Sequence, residues 1–221
     1  MIIITGASDG LGLAIATLYK NAGKEVVNIS RSKSSAADVN IGCDLMISSQ
    51  VSEAIEQIIA INKPIEAFIS SAAVVSYEEI DCLSVNEIEK MFKTNVTGMM
   101  QLVSGLLPKI KQDEADILNV GATIALRSGG PMLSVYSTVK WAVRGFTENL
   151  QDELKNTKCR VVNFLVGGFQ SRLHEKVTKS PLEDPEKWMP AEDVAICVKQ
   201  ILDLPKTMEI SEIVVNRKTN V

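Results

Sequence analysis

Residues 5–12 of the chain read Thr5-Gly6-Ala7-Ser8-Asp9-Gly10-Leu11-Gly12. The preceding residues 2–4 are apolar, as in a buried strand, and the residues that follow carry apolar side chains at helical spacing. A strand, a glycine-rich turn and a helix form an arrangement suited to phosphate, because glycines let the backbone approach the ligand and the helix N-terminus offers free N–H groups. This stretch therefore predicts a dinucleotide site.

The spacing of these glycines leaves a second interpretation open. It is G-x-x-x-G-x-G, which differs from the dinucleotide fingerprint G-x-G-x-x-G. Gly6, Gly10 and Gly12 would also suit an ordinary turn between a strand and a helix that binds no ligand. The choice between the two interpretations depends on the rest of the chain.

Length and composition indicate one α/β domain that binds a small molecule. The chain has 221 residues, of which 46% are hydrophobic and 23% charged, and a net charge of -4. This length fits one domain over residues 1–221, and no linker divides it. A negative net charge gives no electrostatic footprint for nucleic acid or an anionic membrane, so we expect neither as a partner.

The sequence also indicates a cytoplasmic protein without a metal site. No apolar run reaches the roughly 18 residues of a membrane span, and no basic segment precedes the first strand. Cys43, Cys82, Cys159 and Cys197 lack C-x-x-C spacing, which fits reduced, buried thiols. His174 is the single histidine, which leaves little for a histidine metal site or a Ser-His-Asp triad. We expect His174 on the surface or in a loop.

A basic pair follows the second predicted strand, at residues 25–30. Dinucleotide sites for the unphosphorylated cofactor place an acidic residue about 20 residues beyond the glycines. Residues 28–33 contain no acid, and Arg31 could pair with a 2′-phosphate through its forked guanidinium. If a dinucleotide binds, NADP(H) is thus the predicted preference and NAD(H) a possible second cofactor. An exposed basic loop of Arg31 and Lys33 is the alternative.

Strands and helices alternate along the remainder of the chain. Further strands are predicted at residues 39–43, 65–70, 117–120, 160–166 and 210–215. Ser48 is predicted to cap the second helix, and Ser84 with Glu87 forms a capping box for a helix that ends before Pro108. The alternation predicts an α/β, Rossmann-like, doubly wound fold with a mostly parallel seven-stranded sheet and helices on both faces.

The irregular polar stretch at residues 171–188 contains two prolines and follows the sixth strand. Its length and its place beyond a strand's carboxyl end predict a mobile flap, here defined as residues 168–189, over a site.

Tyr136 and Lys140 are four residues apart in a predicted helix and so share one helical face. A tyrosine phenol has a pKa of about 10, and a nearby ammonium lowers it. A phenol with a lowered pKa can exchange a proton with an alcohol oxygen. An exposed Tyr/Lys pair on a helix surface is the alternative. Asn95 lies inside another apolar helical pattern, where an asparagine commonly faces solvent or bonds to local backbone.

Four motifs occur in order: Thr5-Gly6-x-x-x-Gly10-x-Gly12, Asp44 after the third strand, Asn95-Val96-x-Gly98, and Tyr136-x-x-x-Lys140. With them the sequence resembles the short-chain dehydrogenase/reductase family over nearly its whole length. The resemblance implies an NAD(P)(H)-dependent oxidoreductase that reduces a carbonyl group, or oxidises an alcohol, by hydride transfer. It also implies a compact small-molecule substrate and a homodimer or homotetramer.

The resemblance also implies residue roles. Tyr136 would be the catalytic acid/base, Lys140 would lower its pKa and hold the nicotinamide ribose, and Asn95 would position a water. Arg31 is similar to the basic residue of NADP(H)-preferring members. The implied cofactor contacts are Thr5, Gly6, Ser8, Asp9, Gly10, Leu11, Gly12, Arg31, Asp44, Leu45, Tyr136, Lys140 and Gly168, with Asp44 and Leu45 beside the adenine.

The chain departs from the family pattern at the serine that orients the substrate carbonyl. Ala122 stands where the strand alignment expects that serine, and counting back 13 residues from Tyr136 reaches Thr123. The Thr123 hydroxyl could replace the serine as donor, with Ser134 as a second candidate. The missing serine also permits a catalytically weak NADP(H)-binding sensor or regulatory protein of the same fold. A structural protein that binds no nucleotide is a third class.

Two further departures concern the cofactor pocket. The turn Ser70-Ser71-Ala72-Ala73 stands where the family favours Asn-Asn-Ala-Gly, and Gly167-Gly168 stands where it favours Pro-Gly. We expect both to change the shape of the pocket more than its chemistry.

Overall fold

A computed structural model describes residues 1–218, and its seven strands form one sheet in the order β3-β2-β1-β4-β5-β6-β7. All neighbouring strands are parallel. The predicted doubly wound, seven-stranded sheet is confirmed, and it is parallel throughout. The strands are β1 Ile2–Thr5, β2 Val26–Ser30, β3 Val39–Gly42, β4 Ala67–Ser70, β5 Asp116–Val120, β6 Val161–Val166 and β7 Glu212–Val215.

Helices cover both faces of the sheet, as predicted. Phe68 and Phe164 lie on opposite faces and are both fully buried. On the Phe164 side the cover is α1 and α7, and on the Phe68 side it is α2 to α5. The helices are α1 Gly10–Asn21, α2 Ser48–Ala60, α3 Val85–Phe92, α4 Gly98–Gln112, α5 Ser134–Leu154, α6 Arg172–Thr178 and α7 Ala191–Leu202.

The order of the strands reverses between β1 and β4. From β1 the chain winds outward through β2 and β3, and it then returns to place β4 on the other side of β1. The loops that leave β1 and β4 therefore diverge and open a crevice at the carboxyl ends of the strands, where ligands of this fold class bind. The side chain of Thr5, at the end of β1, accepts the N–H groups of Ser71 and Ala72, both at 3.0 Å.

Two predicted helix boundaries are wrong. Pro108 lies inside α4, where the carbonyl that loses its hydrogen bond, that of Ser104, belongs to an exposed residue and can bond to water. A π-helical segment, Lys93–Thr97, joins α3 to α4, and the helical run continues past Pro108 to Gln112. Ser48 does not cap α2, because its hydroxyl instead accepts a hydrogen bond from Gln101 at 3.0 Å. The capping box of Ser84 and Glu87 is confirmed.

The flap is more regular than predicted, since it contains α6 and a 3₁₀ turn at Pro185–Lys187. Among the cysteines, Cys43 and Cys159 are buried as predicted, whereas Cys82 is exposed. Within residues 1–218, no helix has both the length and the hydrophobicity that crossing a membrane requires.

Candidate active site

A cavity of about 670 Å³ opens at the carboxyl ends of the strands, between the glycine turn and the flap. It brings together most residues that the sequence analysis singled out. These are Gly6, Ser8, Asp9, Gly10, Leu11, Gly12, Arg31, Asp44, Leu45, Thr123, Tyr136, Lys140 and Gly168.

The glycine turn needs its glycines for backbone reasons. Gly6 and Gly10 have φ values of +73° and +51°, in the left-handed region that L side chains rarely adopt. A Cβ at Gly12 would lie 2.3 Å from the carbonyl oxygen of Gly6. Asp9 caps α1, and its carboxylate accepts the N–H of Gly10 at 2.8 Å. The first turn of α1 is thereby set directly against the cavity.

Thr5 and Asn95 lie behind the cavity wall, where they hold the loop that follows β4. Asn95 is buried in the π-helical segment. Its side-chain oxygen accepts the N–H of Val74 at 2.8 Å, and its amide donates to the carbonyls of Val74 at 2.8 Å and Met91 at 2.9 Å. Because backbone groups engage both amide hydrogens, the side chain of Asn95 shapes the cavity through the loop that it holds.

Tyr136 and Lys140 occupy the first two turns of α5, beside the end of β5. The Lys140 ammonium donates to the carbonyl of Val120 at 3.1 Å and lies 5.6 Å from the centroid of the Tyr136 ring. Burial lowers the pKa of Lys140 to about 8. Burial raises the pKa of Tyr136, and the neighbouring Tyr77 phenol raises it further. The shift of Tyr136 thus runs opposite to the one that the resemblance implied, because burial disfavours the charged phenolate.

The structure distinguishes between Thr123 and Ser134, the two residues whose hydroxyls could replace the missing serine. Ala122 and Thr123 both line the cavity, and Thr123 begins a 3₁₀ turn that ends at Ala125. Ser134 is an exposed residue at the start of α5, outside the cavity lining. Of the two candidates, Thr123 is the one at the cavity.

The lining of the cavity is cationic although the whole chain has a net charge of -4. Arg31 is exposed at the cavity edge, next to Ser30, whose hydroxyl lies 2.9 Å from that of Ser8. This contact joins the loop after β1 to the end of β2. The acidic lining residues are Asp9 and Asp44, whereas the basic ones are Arg31, Lys90, Lys140, Arg172, Lys176 and Arg217. The excess of cations suits a ligand that carries several negative charges.

The flap brings residues to the cavity that sequence reasoning missed. His174, expected on the surface or in a loop, is half-buried in α6, and its ring packs against that of Tyr77 with centroids 5.7 Å apart. Trp188 covers Gly168 so closely that a Cβ there would lie 2.2 Å from the indole, and the Arg217 guanidinium lies 4.8 Å from the same ring. These contacts join distant parts of the chain, so no local spacing could have revealed them.

Comparison with known proteins places the chain among oxidoreductases. The sequence model described as short chain dehydrogenase matches residues 1–181. An uncharacterized oxidoreductase of Staphylococcus aureus (strain MRSA252) is 26% identical over 224 aligned positions, covering 96% of this chain and 95% of that protein.

Two solved structures share the fold over nearly the whole chain. The closed form of a serine dehydrogenase complexed with NADP⁺ superposes with a TM-score of 0.87 at 23% identity, covering 97% of this chain and 94% of that one. A short-chain dehydrogenase/reductase from Vibrio parahaemolyticus superposes with a TM-score of 0.83 at 25% identity, covering 99% of this chain and 100% of that one.

Proposed function

The chain belongs to the short-chain dehydrogenase/reductase family of NAD(P)-dependent oxidoreductases, and from this premise we propose that it reduces a carbonyl group with NADPH, or oxidises an alcohol in the reverse direction. The observation that carries the proposal is the shared cavity: Tyr136 and Lys140 line the same space as the glycine turn. When bound, the cofactor supplies or accepts the hydride.

The proposed cofactor site extends along the glycine turn to Arg31. The N–H groups of the first turn of α1 would face the diphosphate, and Arg31 would pair with the 2′-phosphate. The cationic lining of the cavity supports a polyanionic ligand. The serine dehydrogenase that shares this fold was solved with NADP⁺, which supports a nicotinamide cofactor.

Tyr136 is the proposed general acid. Because burial raises its pKa, its phenol is protonated at neutral pH and can donate a proton to a carbonyl oxygen. Thr123 would donate a second hydrogen bond to that oxygen, in place of the usual serine. Lys140 carries most of its charge at pH 7, since its pKa is about 8, and would stabilise the phenolate that forms when Tyr136 gives up its proton.

The substitution Tyr136→Phe tests this assignment. It removes the proton donor and leaves the ring, so we expect turnover of a panel of small carbonyl compounds to fall by roughly 10²- to 10⁴-fold. The dissociation constant for NADPH, followed by cofactor fluorescence, should change little. Unchanged turnover in Tyr136→Phe would reject the role of Tyr136.

A second candidate function is an NADP(H)-binding sensor or regulatory protein with weak catalysis, which Ala122 in place of the usual serine favours. Tight NADPH binding by the parent, without activity on any member of the carbonyl panel, would support it. If neither NADPH nor NADH bound, both functions would be rejected in favour of a structural or interaction protein. The cytoplasmic location and the homodimer or homotetramer stay predictions, the latter checked by light scattering.

A further inference from the structure

The flap meets the glycine turn through α6. Lys176 of α6 forms an ion pair with the carboxylate of Asp9. Just before α6, the Cβ of Ser171 lies 3.6 Å from where a Cβ on Gly10 would be. Because α6 contains no buried residue, the ion pair of Lys176 with Asp9 is the polar contact that ties it to the turn.

Asp9 is ionised at neutral pH. Burial alone would raise its pKa, but the hydrogen bonds from Lys176 and from the N–H of Gly10, with the charges of Lys176 and Arg172, lower it overall. A carboxylate at the N-terminus of α1 would repel an anionic ligand at that turn. Lys176 lies where it offsets this repulsion, and both Lys176 and Arg172 line the cavity.

We propose that Lys176, which pairs with Asp9 over the glycine turn, is a further binding residue for the cofactor diphosphate, so that cofactor binding and ordering of α6 are coupled. The inference rests on the proposed function, since it takes a dinucleotide as the ligand. Lysine suits this role because its ammonium is a cation with three hydrogen-bond donors, which can turn from a carboxylate to a phosphate.

The exposure of the ion pair explains why it can exchange partners. The Lys176 side chain is 56% exposed and that of Asp9 24%. An ion pair this open to water contributes little stability, so a diphosphate with more negative charge competes well for the ammonium. Lys176 is thus weakly held by Asp9 before the cofactor binds, and the diphosphate offers its ammonium the stronger ionic contact.

NADPH and NADH titrations of matched variants test the proposal. Lys176→Met keeps the length of the side chain and removes its charge. We expect its dissociation constants for NADPH and NADH to rise by the same factor, about tenfold, because the two cofactors share the diphosphate. The control Lys187→Met removes another flap cation, one paired with Asp184 at 2.5 Å and outside the cavity lining, and should stay within twofold of the parent.

Hydrogen exchange gives a second measurement that does not depend on turnover. NADPH should slow amide exchange in α6 of the parent, and it should slow it much less in Lys176→Met. Asp9→Asn keeps an oxygen to cap Gly10 and releases Lys176, so its NADPH dissociation constant should equal or fall below that of the parent.

Each contrary result has a distinct meaning. Unchanged dissociation constants in Lys176→Met would overturn the proposal and leave a plain ion pair. Weaker binding of NADPH alone would overturn it by assigning Lys176 to the 2′-phosphate. If the NADPH dissociation constant rose as much in Asp9→Asn as in Lys176→Met, the ion pair itself, and not a contact of Lys176 with the diphosphate, would support cofactor binding, and the proposal would be overturned. If the parent bound neither cofactor, the proposed function itself would fail.

Discussion

The two sides of the cavity are held by different forces. On the glycine-turn side, Thr5 and Asn95 are buried and bond to the backbone of the loop after β4. On the flap side, α6 contributes no buried residue and is tied to the turn by an exposed ion pair. The groups proposed for the chemistry, Tyr136 and Lys140, stand on α5, outside the flap. This division suits an enzyme that keeps its reacting groups fixed and lets a loop select and release ligands.

The substitution Gly12→Ala is the sharpest test of the glycine-turn side, which we expect to be rigid. The added Cβ would lie 2.3 Å from a backbone oxygen, that of Gly6, so the turn must distort. We expect the free energy of unfolding to fall by about 3 kcal/mol, and NADPH affinity to fall by about 100-fold or more. Urea unfolding and cofactor fluorescence measure the two effects.

The control for this substitution is Gly145→Ala in α5. A Cβ at Gly145 meets no atom within 4 Å, and alanine is the better helix former, so this variant should gain up to about 1 kcal/mol. Normal NADPH binding by Gly12→Ala would contradict the claim that the turn is rigid.

Thr123→Val tests the part of the cavity lining that follows β5. Valine keeps the shape of threonine and removes its hydroxyl, so loss of one hydrogen-bond donor to the developing oxyanion should lower kcat by roughly 10²- to 10³-fold. NADPH binding should not change. Steady-state kinetics on the best carbonyl substrate gives the measurement. Unchanged kcat in Thr123→Val, together with a large loss in Ser134→Ala, would move the role to Ser134.

The same division explains which features could be predicted from the sequence. The strands, the glycine turn and the capping box of Ser84 depend on neighbours in the chain, and periodicity or spacing reveals them. The prediction that Ser48 caps α2 is wrong because Gln101, 53 residues away, donates a hydrogen bond to its hydroxyl. The pairing of Tyr77 with His174 is equally remote in sequence. The direction of the Tyr136 pKa shift depends on burial, which no spacing of residues reports.

Lys140→Met tests whether Lys140 serves the reaction at the expense of the stability of the fold. Burial lowers the pKa of Lys140 from 10.5 to about 8, so below pH 8 the folded chain carries a buried ammonium at a cost. Methionine removes that cost, and the variant should be more stable than the parent at pH 7, by about 3 kcal/mol at most. Its carbonyl reduction should nevertheless be lost.

The sign of the pH dependence makes this prediction testable. Between about pH 8 and 10.5 the folded parent has released the Lys140 proton while the unfolded chain still holds it. The contribution of this group to the free energy of unfolding therefore rises with pH in that window. Because Lys140→Met lacks the group, the gap between variant and parent should close as pH rises from 8 to 10.5. A gap that stays constant across this range in urea unfolding would contradict the assignment of a depressed pKa.

Arg31→Asp should give the smallest effect, because Arg31 is exposed at the cavity edge and solvent screens its charge. We expect NADPH affinity to fall by about tenfold, while NADH affinity holds or rises, since a carboxylate there can accept the ribose 2′-OH. The loss should shrink as salt is added. Lys33→Asp is the matched control, because Lys33 is exposed in the same loop but outside the cavity lining, and it should change both affinities equally and slightly. Equal dissociation constants of the parent for NADPH and NADH would reject the preference itself, and would leave Arg31 as the exposed basic loop residue of the alternative interpretation.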